Sequence, residues 1–330
     1  MDAMYMEAGL MLVAVFLLTV LIARVLIPML KTFKAGVRIL EIGPRWHKSK
    51  EGTPIMGGIC FILAILISTL VLVLISVFRG EVYGLLPMAL TLVLAVGNGL
   101  IGFVDDFCKL VKKQNEGLRP WQKLVLQLLI AVLYLVAMIR FGGLSTALYL
   151  PYFGIELELG IFYYALAVFI IIGFVNSVNL TDGVDGLASS VTLVVGLFFA
   201  VAAHLISDRS LILTAACIIG GTLGFLMYNF HPARVFMGDT GSLFLGGIVV
   251  GAAFQLNNPL ILLVIGFIYL CEAVSVILQV GYFKLTHGKR LFKMAPIHHH
   301  FEKCGWGENR IVFTFSGITL LFAVLAFFGI

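Results

Sequence analysis

Residues 160–206 read GIFYYALAVFIIIGFVNSVNLTDGVDGLASSVTLVVGLFFAVAAHLI: two apolar runs, 160–178 and 186–206, on either side of a short polar island that carries Asp182 and Asp185. Each run has the roughly 17–25 residues that a helix needs to cross a hydrocarbon core. The pattern recurs along the whole chain. Windows of that length fall at about 9–30, 55–78, 85–104, 124–140, 160–178, 186–206, 210–228, 242–257, 259–281 and 311–329. The fold class is therefore an all-α polytopic membrane protein, with ten transmembrane helices in a single integral-membrane domain spanning 1–330. Residues 242–281 form one apolar stretch interrupted only by Gln255-Leu256-Asn257-Asn258-Pro259, which reads as a tight turn. Glu272 and Gln279 lie in the ninth window and predict an irregular, broken or kinked span.

Composition agrees. The 330 residues are 61% hydrophobic and 12% charged, with mean hydropathy +1.09, against about 25% charged in an ordinary soluble domain. The first apolar run has no basic leader and no small-residue cleavage site, so it reads as a true span. A net charge of +5 fits loop lysines beside anionic lipid better than nucleic-acid binding. The five cysteines form no CxxC pair, which argues against a disulfide framework or a zinc site.

Orientation follows from the basic residues. Loops 31–54 (Lys31, Lys34, Arg38, Arg45, Lys48, Lys50), 105–123 (Lys109, Lys112, Lys113, Arg119, Lys123) and 282–309 (Lys284, Lys289, Arg290, Lys293, Lys303), with Arg234, lie on one side. The other side has Arg79, Arg140 and Arg209. The positive-inside rule makes the rich side cytoplasmic, and ten spans then put both termini outside. On the outer side, residues 145–159 alternate around Pro151-Tyr-Phe-Gly154 and predict a short β-hairpin.

The acids were not used for that orientation, yet five of them gather on the cytoplasmic side: Asp105 and Asp106, Asp182 and Asp185, and Asp239. The chain has only 17 Asp+Glu. Interfacial acids often do no more than end a span in water. Asp105-Asp106, however, ends an apolar window where the helix macrodipole disfavours negative charge, and adjacent carboxylates repel unless a cation intervenes. Lys109 supplies part of that charge, and a divalent metal or a metal-bound phosphate is the remaining candidate.

In Asn179-Leu180-Thr181-Asp182-Gly183-Val184-Asp185-Gly186, plain helix capping accounts for one aspartate and less well for two. The alternative is a loop whose free N–H groups receive a ligand. It is not a Walker loop, since the Gly-Lys-Ser/Thr ending is absent. Asp239 precedes the next window as a further N-cap candidate, and Asn229 and Phe236 offer an amide and an aromatic face suited to a nucleobase. His298-His299-His300 has no obvious fourth partner for zinc, and imidazoles donating to phosphate oxygens fit the surrounding acids better. Lys48, Thr53 and Lys123 lie on the same face, where lysines also serve simply as lipid anchors.

GFVDDF (102–107), NLTDGVDGL (179–187), FMGDTGS (236–242) and the histidine segment, in this order and each at a cytoplasmic junction, resemble the polyprenyl-phosphate N-acetylhexosamine-1-phosphate transferase superfamily. HKSKEGTPIMGG (47–58) and APIHHHFE (295–302) are similar to its phospho-N-acetylmuramoyl-pentapeptide transferase branch, and the resemblance covers essentially the whole chain. It implies a bacterial plasma-membrane enzyme with its active site facing the cytoplasm. That enzyme moves phospho-MurNAc-pentapeptide from UDP-MurNAc-pentapeptide to undecaprenyl phosphate, giving lipid I and UMP, with Mg²⁺ as cofactor.

Carried onto this sequence, the resemblance makes Asp239 the metal ligand and Asp105 and Asp106 an essential pair, with Asp105 as the base. Asp182 joins the catalytic cluster. Lys48, Asn179, Gly183, Val184, Asp185, Asn229 and Phe236, with Thr53 close by, belong to donor binding. Gln279, His298, His300 and above all His299 meet the sugar-diphosphate side, and Lys109 and Lys123 steady phosphates. Membrane lipid and a homodimer are the other expected partners. The rivals are a UDP-GlcNAc-using sister enzyme, a carrier and an inactive scaffold. Transporter sites lie near the midplane, whereas these acids crowd one interface.

Overall fold

The structure, a computed structural model, describes residues 2–32, 50, 52–112 and 117–330. Lys48 lies outside the described residues, as do Lys34, Arg38, Arg45 and Lys113 of the orientation argument. The helices are α1 (Asp2–Thr32), α2 (Ile59–Arg79), α3 (Leu86–Lys112), α4 (Pro120–Phe141), α5 (Ile161–Thr181), α6 (Leu187–Ile206), α7 (Arg209–Asn229), α8 (Gly238–Gln255), α9 (Leu262–Ile265), α10 (Phe267–Leu285), α11 (Ile297–Glu302) and α12 (Glu308–Phe327). Between α4 and α5, β1 (Ala147–Leu150) pairs antiparallel with β2 (Ile155–Glu158), in the register Ala147 opposite Glu158. This is the expected hairpin.

Among the described residues, nine helices are long and apolar enough to cross a membrane: α1 to α7, α10 and α12. Helix α8 is not one of the nine. It has 18 residues, is rich in glycine, and has Asp239 near one end and Gln255 at the other. Every residue from Thr240 to Gln255 is buried, as befits a helix apolar on all sides and enclosed by others. Small residues allow the enclosure: Gly247 meets the backbone of Ala95 on α3, and Gly246 meets Val175 on α5, leaving no room for a side chain at either contact.

Three expected boundaries move. Helix α3 does not stop near residue 104 but continues to Lys112, so Asp105 and Asp106 lie inside its last two turns. Helix α8 starts at Gly238, which puts Asp239 in its first turn. The ninth window breaks at Gly266, ahead of Glu272 and Gln279 on which the expectation rested: a 3-10 turn (Pro259–Ile261) and α9 precede α10, which runs unbroken through both residues to Leu285.

The chain passes back and forth between two ends. At one end Glu7 pairs with Arg79 (3.1 Å) and Arg209 (2.9 Å), Tyr5 meets His204, and Asn258 donates to the Gly329 carbonyl. Both termini therefore share this end. A buried polar knot sits on the same side, where Gln255 donates to Thr91 (2.7 Å) and Thr214 (3.0 Å). The aspartates gather at the opposite end.

Candidate active site

The C-terminal part of α3 lies against the N-terminus of α8 with almost no gap, because Gly102 abuts the backbone of Asp239 and Thr240. That approach delivers Asp106 to the free N–H groups of α8. Thr240 donates its N–H (2.9 Å) and its hydroxyl (2.7 Å) to Asp106 Oδ2, and the Asp239 N–H points at Oδ1 from 3.3 Å. The N-cap residue of α8, Met237, makes no side-chain cap. Asp106 caps the helix from another element, so its charge is balanced by the positive end of α8.

Asp105, fully buried, faces the other way. It accepts the Leu118 N–H (2.7 Å) and pairs with two lysines. Lys109 Nζ lies 2.6 Å from Asp105 Oδ2, 3.2 Å from Asp239 Oδ2 and 3.8 Å from Asp106 Oδ1. Lys123 Nζ lies 3.0 Å from Asp105 Oδ1 and 2.8 Å from Asp239 Oδ2. Asn179 donates to Asp239 Oδ1 (3.2 Å) and to Ser242 Oγ (2.9 Å). Asp105, Asp106 and Asp239 present oxygens within 4.8 Å of one another. Three carboxylates against two ammonium groups leave a net negative, all-oxygen donor set, which fits a hard divalent cation.

The polar island between α5 and α6 forms the next wall. Neither of its aspartates caps α6, whose N-cap is Gly186 without a side-chain bond. Asp182 is half-buried, and among the described residues nothing hydrogen-bonds its carboxylate. Burial first, then the nearby charges of Asp239, Asp106 and Asp185, push its pKa up to about 8.

Asp185 is the opposite case. Burial would raise its pKa, but its Oδ1 pairs with Lys50 (2.6 Å) and its Oδ2 accepts from the Ala233 N–H (3.0 Å) and His231 Nδ1 (3.0 Å). The net effect lowers it. Val184 is buried, and Gly183 backs so closely onto the His298 ring that no side chain would fit there.

Phe236 is half-buried, with Lys50 Nζ 5.9 Å from its ring centroid. The segment entering α2 is stitched alongside: Phe236 donates to Pro54, and Gly57 and Gly58 donate to Phe236 and Met237. This brings Thr53 to the same region. Asn229 is placed differently from the expectation of a free amide edge. It is buried, donates to the Val235 carbonyl (3.0 Å) and accepts from Ser189 (3.2 Å), so it holds the 229–236 loop in shape.

The histidines sit on α11, where the His298 and His299 rings pack against each other with centroids 4.1 Å apart and His300 turns to Phe292. His298 is buried, with Nδ1 2.9 Å from Glu272 Oε2 of α10. His299 Nδ1 meets Glu302 Oε2 at 2.5 Å. His300 accepts the Lys293 N–H (3.1 Å). Gln279 ties down the loop before α11, accepting from Leu291 (3.1 Å) and Phe292 (2.8 Å).

Sequence reasoning did not assign Lys50, His231, Glu308 or Thr240 to the site. Lys50 stands two residues beyond Lys48 in one basic run, and His231 adjoins Asn229 in a segment already singled out. Glu308 had no local signal, because its partners Lys50, Asp185 and His231 all lie in distant segments of the chain.

A model of glycosyl transferase family 4 matches residues 86–257, the part that holds every aspartate of the site. The chain is 46% identical over 318 residues to the phospho-N-acetylmuramoyl-pentapeptide-transferase of Clostridioides difficile (strain 630), covering 96% of this chain and 95% of that protein. It is 45% identical over 315 residues to the protein of the same name from Caldanaerobacter subterraneus, covering 96% of each. With that of Carboxydothermus hydrogenoformans it shares 44% over 314 residues, covering 93% and 94%.

Proposed function

The chain belongs to glycosyl transferase family 4, among its phospho-N-acetylmuramoyl-pentapeptide-transferases, and we propose that it transfers phospho-MurNAc-pentapeptide from UDP-MurNAc-pentapeptide to undecaprenyl phosphate, releasing UMP and forming lipid I. The observation that carries this reading is the convergence of Asp105, Asp106, Asp239, Lys109 and Lys123 at one end of an apolar bundle. Phosphoryl transfer between two anions needs charge balance and in-line positioning more than covalent help. The lipid acceptor accounts for a phosphotransferase that is mostly membrane helix. In this reading the chain crosses the bilayer ten times, with α8 added to the nine long apolar helices, and the aspartate end is cytoplasmic.

The lipid phosphate attacks the sugar-bearing phosphorus of the donor. The bond from that phosphorus to the bridging oxygen breaks, and UMP leaves with the electron pair. Asp239, with Asp105 and Asp106 as further oxygen donors, would hold Mg²⁺, and the ion would supply positive charge to the diphosphate and to the leaving UMP. Lys109 and Lys123, now shared between Asp105 and Asp239, turn toward incoming phosphates. Asp105, released from a lysine, takes the acceptor's proton. Asp182 belongs to the same catalytic cluster, beside Asp105, Asp106 and Asp239.

Phe236 stacks the base, with Lys50 beside it and Thr53 and the Gly183–Asp185 backbone close by. Lys48 remains an expected donor contact. Asn229 and Gln279 act by shaping loops, while His298, His299 and His300 line the sugar-diphosphate side. Direct attack is favoured over an aspartyl intermediate, since the acids are needed as metal ligand and base.

The test is an assay on detergent-solubilised protein with UDP-MurNAc-pentapeptide, undecaprenyl phosphate and Mg²⁺, following UMP and lipid product together. UDP-GlcNAc serves as competing donor. Metal-dependent product from the muramoyl donor alone is the expected result. Turnover of UDP-GlcNAc would move the chain to a sister activity, and no turnover of either by folded protein would overturn the reading.

A further inference from the structure

Four charged or titratable side chains from four distant segments meet beside the donor loop, and the chemistry above uses only some of them. Glu308, in the first turn of α12, does not cap its own helix, whose N-cap Gly307 has no side-chain bond. Its Oε2 instead accepts the Asp185 N–H (3.0 Å) and pairs with Lys50 Nζ (2.7 Å), and its Oε1 lies 3.6 Å from His231 Nδ1. Asp185 takes Lys50 on one oxygen and His231 with the Ala233 N–H on the other.

Two carboxylates thus share one lysine with little access to water, the side chains of Asp185 and Glu308 being 2% and 12% exposed. Like charges this close are unfavourable by themselves. The arrangement is sustained by the positive end of α12 and the shared cation. What it secures is position. The loop at 185 cannot move without breaking bonds to residues 50, 231, 233 and 308, and Lys50 is held near the Phe236 ring.

We propose that Glu308 is a positioning residue for the nucleotide end of the donor, acting through Asp185 and Lys50 and not by touching the reacting phosphates. This rests on the reading of 183–185 and Phe236 as the seat of the UDP moiety. Helix α12 follows α11 directly, so the same part of the chain grips the donor loop twice, with His298 behind Gly183 and Glu308 on Asp185. Loss of Glu308 leaves Lys50 to settle on Asp185 alone and removes the acceptor of the Asp185 N–H. The acceptor-lipid side, built on Lys109, Lys123 and Asp105, is untouched.

The experiment compares wild type, Glu308→Gln and Glu308→Ala as full-length protein in detergent. Readouts are KM for each substrate, kcat, and the Kd of UMP by calorimetry, with melting temperature and elution volume as checks on folding. Removing a charge-assisted bond at a distance from the chemistry should raise donor KM and UMP Kd together by on the order of 10-fold in Glu308→Ala. The value of kcat should change by less than about 3-fold and the undecaprenyl phosphate KM should stay put. Glu308→Gln, which keeps an oxygen for the Asp185 N–H, should fall between.

A folded Glu308→Ala protein with unchanged donor KM and UMP Kd overturns the inference. So does a loss confined to kcat, or an equal rise in both KM values, which would mark a catalytic or a merely structural role. Wild-type protein that neither turns over the donor nor binds UMP sinks the donor reading itself, and the inference with it.

Discussion

Asp106 caps the helix that carries Asp239: its Oδ2 accepts both the N–H (2.9 Å) and the hydroxyl (2.7 Å) of Thr240. One member of the aspartate pair therefore builds the site before any substrate arrives. Asp106→Ala should leave the α8 donors short of an acceptor and lower stability by about 1–3 kcal/mol. Thr240→Val, which loses the hydroxyl bond alone, should cost about 1 kcal/mol. Thermal melts in detergent check both. Equal melting temperatures for Asp106→Ala and wild type would refute the capping role.

Lys109 and Lys123 each bridge Asp105 to Asp239, so either can partly stand in for the other. Lys109→Met and Lys123→Met should each reduce turnover by about 10- to 100-fold. In the double variant two acids lose both partners, and the stability loss should exceed the sum of the singles by about 1 kcal/mol. Simple additivity in a double-mutant cycle on melting data would mean that the two lysines act separately.

Chelation should abolish turnover, and Mg²⁺ should restore it. Asp239→Ala should remain inactive after Mg²⁺ is restored, with a loss on the order of 10³-fold. Full activity in excess chelator would remove the metal from the mechanism and leave Asp105, Asp106 and Asp239 as a purely structural cluster with their lysines.

Much of this was legible in the sequence, and for identifiable reasons. Apolar runs of membrane length fix helices almost regardless of context, because an unpaired backbone cannot be left in hydrocarbon. The hairpin at 147–158 showed in the alternation around its turn, whereas the ninth window breaks at Gly266 and not at the polar residues Glu272 and Gln279. Helix ends were less legible. Asp105 and Asp106 looked like the terminus of a span, but α3 stays helical past them because α8 supplies donors for Asp106 and the lysines neutralise Asp105. The capping readings of Asp182, Asp185 and Asp239 failed for a related reason: glycine turns start α6, and Asp106 caps α8 across a contact that only Gly102 permits. Partners hundreds of residues apart, such as Glu308 with Lys50, leave no periodic trace.

Glu272 and His298 form a fully buried pair between α10 and α11 (2.9 Å), so His298 is fixed by a residue of the membrane helix. Breaking a buried pair from one side costs about 3–5 kcal/mol, whereas an isosteric amide keeps an oxygen for Nδ1–H. Glu272→Ala should therefore melt well below Glu272→Gln, and Gly183→Ala, which drives a methyl into the same ring, should lower activity together with stability. Matching melts for the alanine and glutamine variants at 272 would show that the imidazole does not depend on that carboxylate.

Asp182 gives the chain a pH dependence whose sign can be worked out. Its pKa is raised to about 8 in the folded protein, against about 3.9 in an unfolded chain. Between those values the folded state holds a proton that the unfolded state has lost, so this residue makes stability fall as pH rises from about 4 to about 8. Above the folded value the full cost of a poorly partnered carboxylate beside Asp239, Asp106 and Asp185 is present. Asp182→Asn removes that cost without changing shape. In chelator, the variant should be more stable than wild type at pH 8.5–9, by on the order of 1 kcal/mol or more, and the gap should close toward pH 5. Melting temperatures measured across that range decide it. A constant difference at all pH values, or a variant less stable than wild type at high pH, would mean that the Asp182 carboxylate has a favourable partner.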